Sequence, residues 1–521
     1  MHLDARVCDR ARRARDARFD GRFFIGVTTT GVYCRPICPA RAPKDEHVRY
    51  FPTAAAAEAA GFRPCLRCRP EAAPGTPAWL GTSGLVSRAL RMIGDGALRC
   101  DATNGTSVHS LADRLGVTAR HLRRLFLQHL GATPLDVALT RRAHFAKKLV
   151  DETSLAFHQV AIASGFGSLR RFNAEIRRTY ARTPTQLRRL ARQRPAAESD
   201  ADCYGFRLAY RPPYDWDAML AFLGARATPG VESVAESRYR RTIAIDGRCG
   251  SIEVSRLDTG AALGLDVRFP DPRLLLVVVE RVRRMFDLGA DPAIIGGHLR
   301  ADPLLRASLA RHSGIRTPGA WDGFELAVRA ILGQQIAVRA ATTMAGRVAA
   351  MFGSPVANGN GCDRLFPTPA QLVSAPLEQT GIVRARAETI RSLARRVVDE
   401  TIAFDSRFDA EATIAALKTI PGIGDWTAEY IAMRALGEPD AFPRGDLVLR
   451  RMAGDCTARA LERRSQSWRP WRAYAVMLLW QAAGDARHKP SRSTHAQAER
   501  RPKLHDGNRR AALVSAADGT R

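Results

Sequence analysis

The spacing of apolar residues changes several times along this 521-residue chain, and each change predicts a different kind of structure. From about Leu85 to Leu190 the spacing is helical. In SLADRLGVTARHLRRLFLQHLG a short helix is predicted to end at Gly116, and Thr118 to cap a second one that buries Leu122, Leu125, Phe126 and Leu130. In QVAIASGFGSLRRFNAEIRRTYARTP the turn falls at Gly165, and Phe172, Ile176 and Tyr180 recur every fourth residue. From Phe206 to about Asp287 the pattern alternates between strands, such as RTIAIDG and SIEVSRL, and amphipathic helices, which predicts an α+β unit. Beyond Trp321 helical spacing returns, and after Gly484 no apolar period remains, which predicts a disordered tail. Two stretches rich in Pro, Gly, Ala or acid, EAAPGTPAWLGTSG and RQRPAAESDADC, read as linkers.

Length alone suggests roughly three or four domains. The formal net charge of +28 makes a polyanion the expected partner, although heavy arginine use can also reflect coding bias. The first residues, MHLDARVCDRARRARDARF, lack the apolar core of a secretory signal. The longest strongly apolar run, Leu274 to Val279, is far too short to span a membrane. The ten cysteines do not read as a disulfide framework. A reducing, cytoplasmic, nucleoid-associated setting without membrane contact is expected.

Four of those cysteines form two close pairs, Cys34 with Cys38 and Cys65 with Cys68, which suits one tetrahedral zinc ion. A zinc-bound thiol is deprotonated yet alkylatable, and Arg35, Arg41 and Arg63 are expected to hold phosphates beside it. On spacing alone, a purely structural zinc knuckle is the favoured reading, because closed four-cysteine zinc sites are usually structural. The surrounding sequences, TTTGVYCRPICPAR and GFRPCLRCRPE, closely resemble the zinc domain of the Ada DNA-repair proteins over about sixty residues. That resemblance implies that the zinc is catalytic as well as structural, and that Cys34 accepts a methyl group from a DNA phosphotriester.

The two helical segments are helix-turn-helix candidates, and FGSLRRFNAEIRRTYARTPTQLR and RHLRRLFLQHLGATP resemble the tandem domain of the AraC family. This assigns Arg120, His121, Arg123 and Arg124, and Ser168, Arg170, Arg171 and Asn173, to DNA grooves and phosphates. A solvated basic helix face is the alternative.

The segment LKTIPGIGDWTAEYIAMRALGEPDAFPRGDLVLRR carries the second chemical signal. Gly422 and Gly424 in PGIG allow backbone amides to approach a phosphate, and Asp446 follows the turn formers Pro443 and Gly445. On its own Asp446 also reads as a helix cap. With RPPYDW, FELAVRAILGQQIAV, FPTPAQL and WRPWRAYAVMLLW, this region resembles the AlkA-type 3-methyladenine glycosylases of the helix-hairpin-helix superfamily.

The resemblance implies that Asp446 is the catalytic carboxylate, that Phe222, Trp426, Tyr430 and Trp480 surround a flipped base, and that Gln334 and Gln335 face DNA. Electron-rich rings would favour a cationic alkylated purine, while Trp468 and Trp471 are read as core. The chain departs from relatives at Gln335, where some insert an apolar wedge, and at Gln481, where an aromatic residue often follows. Trp426 stands where strand-nicking relatives carry a lysine, so a monofunctional glycosylase is expected. No iron–sulfur cluster is expected, because Cys456 is the only cysteine after the hairpin. The chain has no Pro-Cys-His-Arg motif, so direct repair of O6-alkylguanine is not expected.

The expected architecture is therefore multidomain, α+β and all-α. It comprises a zinc domain (1–75), an AraC-type double helix-turn-helix (85–192), an AlkA-type N-terminal α+β domain (205–318), a helix-hairpin-helix glycosylase domain (319–484) and a basic tail (485–521). The expected partners are double-stranded DNA carrying alkylation damage, promoter DNA and RNA polymerase. The rival reading is a transcription regulator whose glycosylase half only binds DNA.

Overall fold

A computed structural model describes residues 4–75, 84–98, 107–191, 202–356, 361–405 and 410–488. Of the predicted tail (485–521), residues 485–488 instead continue the last helix, and the rest, with most of both predicted linkers, lies outside these residues. The N-terminal module is a four-stranded sheet in the order β3-β1-β2-β4, with β1 at Phe24–Val27, β2 at Val32–Cys34, β3 at Val48–Phe51 and β4 at Arg63–Pro64. Its core is small, centred on Phe24, Tyr33, Phe51 and Phe62. Gly26 is required there, since a Cβ would lie 2.7 Å from the ring of Phe51 and 2.9 Å from that of Phe62.

This module sits on the 19-residue helix Pro134–Glu152. Glu58 accepts hydrogen bonds from the hydroxyls of Tyr33 and Thr140, each at 2.8 Å, and it pairs with His144 at 3.0 Å. Burial would raise this carboxyl, but His144, Thr140 and Tyr33 hold it below the usual range.

That long helix joins two helix-turn-helix units. The first is Val108–Arg114 followed by Ala119–Leu130, and the second is Phe157–Ala163 followed by Leu169–Tyr180. The turns use Gly116 and Gly165, both in the left-handed region, at φ 70° and 76°. Thr118 Oγ1 accepts from the amide of His121, and Ser168 Oγ from that of Arg171, so both second helices begin with a side-chain cap. Leu122, Phe126 and Leu130 are buried in one unit, and Phe172, Ile176 and Tyr180 in the other, as their spacing predicts; Leu125 is only half-buried.

The next unit is a five-stranded antiparallel sheet of β5 (Cys203–Ala209), β6 (Glu232–Ala235), β7 (Arg238–Ile245), β8 (Arg248–Arg256) and β9 (Ala262–Arg268), in the order β5-β9-β8-β7-β6. Along β5 the buried residues are Tyr204, Phe206 and Leu208, which is the period-two burial of a one-sided sheet. The apolar run at Leu274 to Val279 mostly becomes the start of the helix Leu275–Met285. Among the described residues, no helix is long and apolar enough to cross a membrane.

The remainder is helical, ending in Arg472–His488, and Trp468 and Trp471 are core residues as expected. One continuous apolar core runs from the second helix-turn-helix unit through the sheet to that last helix. Arg22 of the N-terminal module and Asp291 of the following half form a buried ion pair at 3.2 Å.

Candidate functional site

Cys34 ends β2, Cys38 lies in the turn that follows, and Cys65 and Cys68 lie just beyond β4. Their four sulfur atoms all lie within 4.8 Å of one another. The amide of Arg35 donates to Cys68 Sγ at 3.3 Å, as it would to a thiolate ligand. Four converging thiols with an amide donor fit zinc. Cys65 and Cys68 are buried, whereas Cys34 and Cys38 are both half-buried, so exposure alone does not choose between the latter two.

Arg35 corrects the sequence-based expectation. Its guanidinium does not face outward: Nε donates to Asp20 Oδ1 at 2.8 Å, Nη2 to Asp20 Oδ2, and Nη1 to the carbonyl of Cys68 at 3.0 Å. It fixes the cysteine loop and is buried while doing so. Arg41 and Arg63 are exposed, and so is Arg67 between Cys65 and Cys68, which the sequence reading did not select. Arg120, Arg123 and Arg124, and likewise Ser168, Arg170 and Arg171, also lie on the surface. His121 and Asn173 are half-buried.

The hairpin connects the helices Ala410–Lys418 and Asp425–Arg434. Gly422 has φ 93°, and a Cβ there would lie 2.3 Å from Thr389 Oγ1. Two side chains pin this turn. Thr389 Oγ1 donates to the carbonyl of Pro421 at 2.9 Å, and Gln334 Nε2 donates to the carbonyl of Gly422 at 2.8 Å and to Thr427 Oγ1 at 2.9 Å. Gln334 is therefore committed to the hairpin. Gln335 is exposed and held at φ 57°. Nothing within 4 Å crowds Gly424, which leaves its backbone approachable.

Asp446 is 9% exposed and makes three contacts. Oδ1 accepts from the amide of Leu449 at 2.9 Å and from Trp480 Nε1 at 3.3 Å, and Oδ2 accepts from Trp426 Nε1 at 3.0 Å. The residue thus caps the helix Leu447–Met452, and the same carboxylate is aimed by two indoles. Those indoles belong to an aromatic cluster. Trp426 stacks on Tyr430 with centroids 5.3 Å apart, Phe222 stacks near-parallel to Trp480 at 6.3 Å, and Tyr430 lies 6.1 Å from Trp480. All four predicted pocket residues come together around Asp446.

Family models match four consecutive parts of the chain: the metal binding domain of Ada (7–71), a helix-turn-helix domain (111–190), the AlkA N-terminal domain (205–322) and the HhH-GPD superfamily of base excision DNA repair proteins (328–467). A Mycobacterium tuberculosis protein named "Probable bifunctional transcriptional activator/DNA repair enzyme AlkA" is 42% identical over 488 residues, covering 92% of this chain and 97% of that protein. The chain belongs to that family. DNA-3-methyladenine glycosylase 2 of Escherichia coli is 34% identical over 290 residues, which is 54% of this chain and 98% of that enzyme. The Escherichia coli Ada protein is 38% identical over 121 residues, 23% of this chain and 31% of that protein. Like its AlkA relatives, the chain joins a transcription-activator half with a DNA-repair half, and the repair half is a DNA glycosylase. The Ada match and the converging thiols together support zinc as the metal.

Proposed function

We infer that the N-terminal half takes a methyl group from a DNA methylphosphotriester onto Cys34 and thereby regulates transcription. The C-terminal half hydrolyses the N-glycosidic bond of alkylated bases such as 3-methyladenine. When zinc is bound by Cys34, Cys38, Cys65 and Cys68, it keeps the thiols ionised at neutral pH. The Cys34 sulfur attacks the methyl carbon; a C–S bond forms, and the C–O bond breaks with its electron pair going to the phosphate oxygen. The group that remains is a neutral thioether, so the site loses one negative charge and repels DNA phosphate less. Arg41 and Arg63 hold the phosphate, and the exposed arginines of the tandem helix-turn-helix hold promoter DNA, where RNA polymerase is the expected partner.

In the other half the hairpin around Gly422 and Gly424 positions the backbone of DNA, Gln335 fills the gap left by the flipped base, and Asp446 faces the deoxyribose. As the bond to C1′ breaks, the sugar takes on oxocarbenium character, and the carboxylate stabilises that charge and orients water. The observation that carries this reading is the Asp446 carboxylate, held at the edge of the aromatic cluster by Trp426 and Trp480.

The test is incubation with methylated double-stranded DNA, followed by mass analysis of the protein and chromatography of released bases. The expected result is one methyl group on Cys34, free 3-methyladenine, and tighter promoter binding by the methylated protein. A methyl group on another cysteine, or equal promoter affinity in both states, overturns the sensor. Intact damaged bases reduce the C-terminal half to a DNA-binding module.

A further inference from the structure

The aromatic cluster is not left as a bare π-surface for a cationic base. Two arginines that the sequence reading did not select already face it. The guanidinium carbon of Arg226 lies 3.8 Å from the centroid of Phe222, and that of Arg434 lies 4.7 Å from Phe222 and 5.6 Å from Tyr430. Both are anchored through neutral acceptors. Arg226 Nη1 donates to the carbonyl of Phe222 at 3.2 Å. Arg434 donates to the carbonyls of Pro318 and Gly319, and through Nη1 to the Tyr430 hydroxyl at 2.8 Å.

The neighbouring pair is different in kind. Arg241 and Arg329 are each paired with both Glu232 and Glu325, so the four formal charges of that group sum to zero. Arg226 and Arg434 thus add positive charge beside Phe222 and Tyr430, and Arg434 does so while 3% exposed. Because Arg434 is the donor in its contact with Tyr430, the phenolic proton remains for another acceptor. Burial alone would raise the Tyr430 phenol, yet Arg434, Arg226 and Arg329 pull it below its usual value, which strengthens it as a donor.

This placement bears on which bases leave easily. When the C1′–N bond breaks, its electron pair goes to the base. A cationic lesion then departs neutral, whereas a neutral lesion departs as an anion that water protonates afterwards. Positive charge at the base opposes binding of the first kind and stabilises departure of the second. We propose that Arg226 and Arg434, with the Tyr430 hydroxyl as the donor that touches the base, form an anion-stabilising side of the pocket, and that Arg226 sets how well neutral damaged bases are excised relative to cationic ones. The proposal rests on the glycosylase reading above.

The experiment uses the full chain under single-turnover conditions. Two duplexes are compared, one carrying 7-methylguanine, which is cationic in DNA, and one carrying hypoxanthine, which is neutral. Arg226→Met keeps most of the side-chain length and removes the charge. It is expected to slow hypoxanthine release at least about tenfold more than 7-methylguanine release. Arg226→Lys should recover much of that difference, and Tyr430→Phe, which removes only the hydroxyl, should shift the ratio in the same direction as Arg226→Met. An equal loss on both lesions, or wild-type release of 7-methylguanine without hypoxanthine, overturns the proposal and leaves the glycosylase reading intact. Release of neither base by the wild-type protein overturns the glycosylase reading itself.

Discussion

Replacing Asp446 by asparagine removes one charge and converts one carboxylate oxygen into an amide nitrogen, and the three contacts of this residue show how far those effects can be separated. Oδ1 serves both the Leu449 amide and Trp480 Nε1, and Oδ2 serves only Trp426 Nε1. The best orientation of asparagine keeps its oxygen on the first pair and so retains the helix cap. Its NH2 group then faces the Trp426 N–H, donor against donor. One hydrogen bond is lost, a cost of about 1–2 kcal/mol in stability, while the stack of Trp426 on Tyr430 remains. Loss of the charge beside C1′ acts on the rate, and single electrostatic contacts of this kind are worth about 3 kcal/mol or more, roughly a hundredfold.

The assay is single-turnover release of 3-methyladenine from methylated duplex, run beside thermal unfolding and DNA-affinity measurements. A melting point lower by a few degrees, near-normal affinity and a rate lower by about two orders of magnitude or more are expected. Excision within about threefold of wild type would remove Asp446 from the chemistry. A large loss of DNA affinity would show that the residue serves the fold instead.

Borohydride should trap no protein–DNA adduct, and the abasic strand should stay uncut. Trp426 cannot form an imine, and Lys418, at the start of the hairpin, is paired with Asp425 at 2.5 Å; a trapped adduct on a denaturing gel refutes this. Gly422→Ala should weaken DNA binding and destabilise the protein by about 1–3 kcal/mol, because φ 93° strains alanine and its Cβ would meet Thr389 Oγ1; unchanged binding isotherms and unfolding curves would count against it. Asp287 is half-buried on the wall of a cavity, and burial pushes its carboxyl up to about 6 despite the Arg316 charge and the hydrogen bonds from Tyr474 and Thr317. The folded state therefore holds this proton more tightly than the unfolded chain, so stability falls as pH rises from about 4 through 6. Asp287→Asn, which keeps both hydrogen bonds on one oxygen, should raise stability at pH 7 by about 2 kcal/mol and flatten that part of the pH profile in urea titrations.

The parts that were legible in the sequence are those where one residue type answers a local demand. Thr118 and Ser168 appear as caps because a hydroxyl must meet an orphan amide, and Gly422 appears because its φ and the contact with Thr389 exclude a side chain. The cysteine pairs were legible for the same reason, since two short spacings bring four thiols to one point. Arg35 was misplaced because an arginine beside a cysteine in a basic stretch looks exposed, and its partner Asp20 is distant in sequence. Arg226 and Arg434 were missed because each sits four residues after an aromatic residue on a helix or at its end, a spacing that also fits an ordinary solvated arginine. Only the meeting of the two segments shows that they share one aromatic cluster.

That meeting gives the pocket a direction. The carboxylate of Asp446 contacts the indole N–H groups of Trp426 and Trp480, while the guanidinium groups contact the rings stacked on them, Tyr430 and Phe222. Along these contacts each arginine is linked to Asp446 through two rings, Phe222 and Trp480 for Arg226, and Tyr430 and Trp426 for Arg434, and no ion pair joins the carboxylate to either arginine among the described residues. Under the proposed function, a base entering among these rings would have its sugar bond towards Asp446 and its leaving-group side towards the cations. Breaking that bond sends positive charge to the sugar and electrons to the base, so both ends of the fixed charge arrangement favour the same displacement. The aromatic rings then serve as a low-dielectric spacer as well as a stacking surface, and removing charge at either end should slow the chemical step more than it weakens the binding of DNA.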